Sequence, residues 1–82
     1  MPIVTVRYFA HARDPAGCAE EAVEMPDRVD VDAVRSLLGA RHPALQRVLP
    51  ACRVAHNLDF LRGEVELADG DELALIPPVS GG

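Results

Sequence analysis

The chain has 82 residues, 49% of them hydrophobic and 26% charged, which describes one small domain with a modest core. A domain of this size buries only about 60–65% of the surface its unfolded form exposes, too little to build a deep catalytic cleft with its own supporting residues. Thirteen acidic residues against eight basic ones leave a net charge of −5, and all eight basic residues are arginine, which excludes lysine Schiff-base chemistry and a P-loop lysine and argues against a nucleic-acid backbone as ligand.

Residues Ile3 to Phe9 are rich in β-branched and aromatic side chains, with Val4, Val6 and Tyr8 alternating on one face, the pattern of a half-buried strand. Asp14-Pro15-Ala16-Gly17 is a turn signal. Glu21 to Met25 alternates again, closed by Pro26, so the first two strands form a hairpin with a loop of about ten residues, longer than the usual two to five. Asp30 stands at an N-cap position, with Val29 before it and Val34 placed to complete a hydrophobic staple. Asp32 and Arg41 complement the two ends of the helix dipole, and Val31, Val34, Leu37 and Leu38 form the stripe expected to be buried. The helix must stop at His42, because the residue before Pro43 disfavours the α region. Ala44 to Leu49 is read as a further short helical turn.

Beyond Pro50, Arg53 to His56 predicts a strand, Asn57-Leu58-Asp59 a turn, and Glu64 to Leu67 a strand with Val65 and Leu67 inward. Ala68-Asp69-Gly70-Asp71 is a tight turn before the last strand, Glu72 to Ile76. That strand is more continuously apolar, as expected of one buried on both faces at the centre of a sheet. Two strands, one helix and three strands make an α+β domain, with a mixed sheet of about five strands packed on one main helix. The β-grasp, or ubiquitin-like, arrangement is such a fold. The domain is expected to span 1–76, followed by a flexible tail over 77–82.

The tail, Ile76-Pro77-Pro78-Val79-Ser80-Gly81-Gly82, carries the chemistry. Pro77 lacks an N–H and cannot continue a central ladder. Pro77 and Pro78 favour an extended backbone that leads away from the body. Six residues reach roughly 20 Å at about 3.3 Å each. Ser80 is a small polar spacer, and Gly81 and Gly82 carry no side chain beyond Cα. Such a tail is thin enough to thread a narrow channel in another protein and present its terminal carboxylate there.

The Tyr8-Phe9-Ala10 strand end, Arg13-Asp14, the Asp30 to Leu38 helix, Asn57, the run Leu67-Ala68-Asp69-Gly70-Asp71-Glu72-Leu73 and above all Pro77-Pro78-Val79-Ser80-Gly81-Gly82 resemble one family over essentially the whole chain. It is the MoaD branch of the MoaD/ThiS sulfur carriers, the small subunits of molybdopterin synthases. One departure is His56, where a small apolar residue is common. The resemblance implies that a ubiquitin-activating-like enzyme uses ATP to adenylate Gly82. A sulfur donor then leaves a thiocarboxylate there, which donates its sulfur to cyclic pyranopterin monophosphate during molybdenum cofactor biosynthesis. It also implies a large-subunit partner that holds the catalytic pocket, in a heterotetramer, with contacts at Phe9, Arg13 and Ile76. The alternatives are a Gly-Gly carrier for thiamine thiazole or cysteine synthesis and a ubiquitin-like protein modifier.

Other residues point to no chemistry of their own. His11, His42 and His56 lack metal-ligand spacing, and Cys18 and Cys52 form no Cys-x-x-Cys pair. Cys18 is expected in an exposed loop and Cys52 as a small buried apolar residue. Asp59, Glu64, Glu66, Asp69, Asp71 and Glu72 make an acidic run, read chiefly as a solvated surface. No bound cofactor, metal or nucleic acid is expected. With no signal peptide, and no apolar run near the roughly 18 residues of a membrane helix, the expected location is cytoplasmic with reduced thiols.

Overall fold

A computed structural model of the chain describes residues 1–78. Strand β1 (Ile3–Tyr8) alternates as its sequence predicts, with Val4, Val6 and Tyr8 buried. It pairs antiparallel with β2 (Glu20–Glu24), and the Met25 N–H extends that ladder by donating to the Pro2 carbonyl at 2.9 Å. The long connection between them is not slack. It holds a 3₁₀ turn (Ala10–Ala12) and a helical turn α1 (Arg13–Ala16) that buries Ala12 and Ala16 and ends on Gly17 in the left-handed region.

Helix α2 (Val31–Arg41) starts where Asp30 caps it, the carboxylate accepting from the Ala33 N–H at 2.8 Å. Such caps contribute about 1 kcal/mol. Val29 and Val34, the staple pair, are both buried. At the far end the chain turns at His42, whose N–H closes the last turn onto the Leu38 carbonyl, and continues through two 3₁₀ turns (Pro43–Arg47 and Leu49–Ala51). The expected stripe is narrower than the apolar residues suggest. Val34 and Leu38 are buried, Val31 is half-buried, and Leu37 is 38% exposed. At about 100° per residue, Leu37 lies a quarter turn from the Val34–Leu38 line and falls off the packed face.

Strand β4 (Arg53–His56) and the last strand, β7 (Glu72–Ile76), complete the sheet with β5 (Asp59–Phe60). The five-stranded order is β2-β1-β7-β4-β5, with β1 and β7 parallel and the other pairs antiparallel. The central position of β7 explains its apolar run: Leu73 and Leu75 face α2, and Ala74 is buried on the opposite face. Glu64 to Leu67 departs from expectation. Only Val65–Glu66 (β6) is extended, and it pairs with β3 (Arg28–Val29) in a separate two-stranded sheet. Leu67 is buried as expected, tied by its N–H to the Asp27 carbonyl at 2.7 Å. No helix of the described residues is long and apolar enough to cross a membrane.

One polar cluster ties the edge strand to the helix end. Glu21 of β2 accepts from the Tyr8 hydroxyl at 2.7 Å and from Arg41 Nε at 3.2 Å, and bonds His42 Nε2. Partial burial disfavours the charged carboxylate, but the bonds from His42, Tyr8 and Arg41 outweigh it and hold the Glu21 carboxyl below its ordinary range. Burial and the same carboxylate push the Tyr8 phenol up. A depressed carboxyl stabilises the fold above its unfolded pKa, and that contribution is lost as pH falls through the folded value. Glu21→Gln is therefore expected to cost about 1–3 kcal/mol at neutral pH. The gap to the native chain should narrow in acid, read from urea unfolding midpoints between neutral pH and pH ~3.

Candidate functional site at the root of the tail

The sheet has one face covered by α2 and one free of helices among the described residues, and the free face carries the site. Residues alternating with the core set point to it: Arg7 and Phe9 from the first strand and its extension, Ala74 and Ile76 from β7, Arg53 and Ala55 from β4. The Phe9 N–H donates to the Leu75 carbonyl at 3.2 Å, so Phe9 prolongs β1 alongside the end of β7. Ala55 and Ala74 are directly paired, and their small side chains form the floor of a groove of about 180 Å³. Phe9, Ile76, Leu58 and Phe60 form its apolar walls, with Arg7 and Glu72 at its rim, 3.4 Å apart.

Two of the three expected partner contacts, Phe9 and Ile76, thus come together in this groove, at the point where the chain leaves the sheet. Arg13 does not line it. Its Nε donates to the Tyr8 carbonyl at 3.1 Å and fastens α1 to the end of β1. Pro77 is buried and Pro78 exposed. Val79, Ser80, Gly81 and Gly82 lie outside the described residues.

Sequence reasoning missed Leu58 and Phe60 as parts of this face. Asn57 and Leu58 form a two-residue hairpin turn between the paired residues His56 and Asp59, with φ of 48° and 75°. Asn tolerates that region, whereas a leucine there costs about 1–2 kcal/mol. Leu58 is 88% exposed. An apolar side chain held in a disfavoured conformation, in water and beside an apolar groove, is a feature of binding surfaces. Phe60 pairs with Ala55 and so shares its outward face, while the Arg53 guanidinium stacks 3.7 Å over its ring.

The other expected residues hold the fold. His56, the departure from the family pattern, is mostly buried and bonds Asp71 at 2.8 Å. The bonds from His56, the Ala68 N–H and Asn57 hold the Asp71 carboxyl below its ordinary range. Asp69 accepts from the Ile3 N–H at 2.7 Å and Glu64 lies 3.4 Å from Arg28, so much of the acidic run is engaged within the chain. Cys52 is fully buried, its thiol donating to the Val48 carbonyl, and Cys18 is half-buried, with burial raising both thiols.

The family model described as "ThiS family" matches residues 6–82. A molybdopterin synthase sulfur carrier subunit of Chlamydomonas reinhardtii is 40% identical over 96% of this chain and 98% of its own. Among solved structures, SAMP1 from Haloferax volcanii superposes with a TM-score of 0.79 at 32% identity, covering 98% of this chain and 99% of that one. Subunits 1 and 2 of the molybdopterin-converting factor from Helicobacter pylori have been solved as a complex. The chain matched there has a TM-score of 0.70 at 28% identity, covering 98% of this chain and 99% of its own. The β-grasp body with a family match running to its last residue therefore makes this chain a member of the ThiS family.

Proposed function

We propose that this protein is the sulfur carrier subunit of a molybdopterin synthase. The observation that carries the reading is the near full-length likeness to a relative of that name, in a chain that ends Pro77-Pro78-Val79-Ser80-Gly81-Gly82. The reactive group is the Gly82 carboxylate, a poor electrophile until activated. Its oxygen attacks the α-phosphorus of ATP on a ubiquitin-activating-like adenylyltransferase, and pyrophosphate leaves. A sulfur donor then attacks the acyl carbon, AMP leaves, and a thiocarboxylate remains. Sulfur is larger and more polarizable than oxygen, so this terminus is the better nucleophile toward a carbon of cyclic pyranopterin monophosphate. The attack joins carrier and pterin through an acyl–sulfur bond, which water hydrolyses. The sulfur stays on the pterin, the Gly82 carboxylate is released for a second round, and two sulfurs complete the dithiolene.

The carrier supplies the atom and the large subunit supplies the pocket. The groove of Phe9, Leu58, Phe60 and Ile76 is the docking face for that subunit, in a heterotetramer. Docking there fixes the root of the tail, so Pro77, Pro78, Val79, Ser80 and Gly81 deliver Gly82 at a set reach. No resident cofactor is required, and the relay fits a cytoplasmic protein. The test is intact mass after incubation with the activating enzyme, ATP and a sulfur donor. The expected result is one oxygen-for-sulfur exchange at Gly82; an unchanged mass with a competent enzyme overturns the reading.

A second reading, a protein modifier, is favoured by the 32% identity to SAMP1. An amine attacking the same acyl adenylate gives an isopeptide and AMP. Lysine-bearing proteins joined to Gly82 in the same incubation, in place of the sulfur exchange, would select it. A Gly-Gly carrier for thiamine thiazole or cysteine would accept sulfur but fail to convert the pterin.

A further inference from the structure

Beside the groove, a second cavity of about 190 Å³ opens between the start of α2 and the β4–β5 hairpin. Its polar lining is Arg35, Arg53 and Arg62, with Val31 and Leu61 among its apolar walls and no carboxylate among the lining residues. Three guanidinium groups around one cavity are unexpected in a chain with a net charge of −5, in which like charges gain by dispersing among the acids.

Two of the three have no close ion pair. Among the described residues neither Arg53 nor Arg62 has a carboxylate within ion-pair distance. Asp32 lies 3.7 Å from Arg35 and is almost wholly exposed. Asp30 is engaged as the helix cap, and Glu64 pairs with Arg28. Asp59 and Glu64 line a wider adjoining cavity that shares Phe60, Leu61 and Arg62 with this one, but neither comes within ion-pair distance of Arg62. Of the three guanidinium groups only that of Arg35 has a carboxylate partner among the described residues, and no carboxylate lines the cavity itself. Arg35 adds a second sign. One of its terminal nitrogens donates to the Cys52 carbonyl at 2.7 Å, but its Nε is buried with no partner among the described residues. An unpaired buried donor is costly unless a ligand brings the acceptor.

We propose that Arg35, Arg53 and Arg62 form an oxyanion site that takes a phosphate dianion. Guanidinium groups bind phosphate oxygens through paired N–H donors, and three of them around one cavity with no lining carboxylate favour a dianion over a single carboxylate. The cavity has room for about six waters at ~30 Å³ each, enough for a phosphoryl group but not for a whole nucleotide. Any organic part of the ligand lies outside, against the half-exposed ring of Phe60. Arg53 stands opposite Ile76 in the β4–β7 register, so the site adjoins the root of the tail while remaining distinct from the groove floor. Inorganic phosphate and a phosphate monoester share the recognised chemistry.

The test is NMR titration of the full chain, following the arginine side-chain N–H signals at fixed ionic strength, with inorganic phosphate in one arm and adenosine monophosphate in the other. Arg35, Arg53 and Arg62 signals should move together and saturate, and the double variant Arg53→Gln/Arg62→Gln should bind at least about tenfold more weakly. Both substituted residues are exposed, so the variant should keep its thermal transition. Saturation in both arms with equal affinity assigns recognition to the phosphate alone. Tighter binding of the monophosphate, with Phe60 signals moving too, assigns it to an organic phosphate. Signals that drift without saturating in the native chain, or affinity retained within twofold in a folded double variant, overturn the site.

Discussion

Removing Gly82 is expected to abolish sulfur transfer to the pterin while leaving the thermal transition of the body unchanged. The truncated chain still ends in a carboxylate, now on Gly81, so the loss cannot come from missing chemistry. It comes from reach. One residue shortens an extended chain by about 3.3 Å, and a displacement of even 1 Å at a reacting centre costs about 100-fold in rate. Loss by at least that factor is therefore expected both in adenylation and in pterin conversion. The described core, from Val4 to Leu75, contains no residue of the tail end, so unfolding should not register the deletion. A truncated protein that still supports conversion at the native rate would sink the relay. Appending a third glycine should fail for the same geometric reason, which separates position from mere presence of the terminus.

The parts of this fold legible in the sequence are those set by local rules. The alternation of Val4, Val6 and Tyr8, the Asp30 cap and the apolar run of Leu73, Ala74 and Leu75 each reflect a neighbour within a few residues or a face buried throughout. The pieces that resisted reading depend on distant partners. Arg28–Val29 has no strand pattern of its own and is extended only because Val65–Glu66 lies beside it, 36 residues on in the chain. Leu37 carries the right residue type for the stripe but the wrong angle for the surface that α2 packs against.

The site divides in the same way. Phe9 and Ile76 are expected as contacts through family likeness, and their meeting in one groove follows from the parallel pairing of β1 and β7. Leu58 and Phe60 are not, because a leucine in a turn and an aromatic in a two-residue strand carry no periodic signal. The hairpin register that puts Phe60 across from Ala55 is a tertiary fact. A signal was nonetheless present: an apolar residue inside an Asn-Leu-Asp turn is out of place unless something covers it.

That covering surface is the object of the second large effect. Ile76→Asp or Phe9→Ala should each weaken binding to the large synthase subunit by about 30- to 1,000-fold, the range of 2–4 kcal/mol found for central interface residues. The aspartate adds a desolvated charge to the apolar wall, so it should be the more severe. Neither change touches the packed core. Phe9 is 37% exposed, and Ile76 lies on the helix-free face between Phe9 and the Ala55–Ala74 floor. Both variants should therefore unfold near the native midpoint, and calorimetric titration with the purified large subunit reads the effect directly. Leu58→Ala is a sharper probe, since the turn is solvent-facing and its leucine is 88% exposed where it joins the groove wall. Arg13→Ala should lose less, about tenfold or under, because its guanidinium is held by the Tyr8 carbonyl and does not line the groove. Native-like affinity in both Ile76→Asp and Phe9→Ala would move the docking face elsewhere on the domain and leave the tail without the anchor that sets its reach.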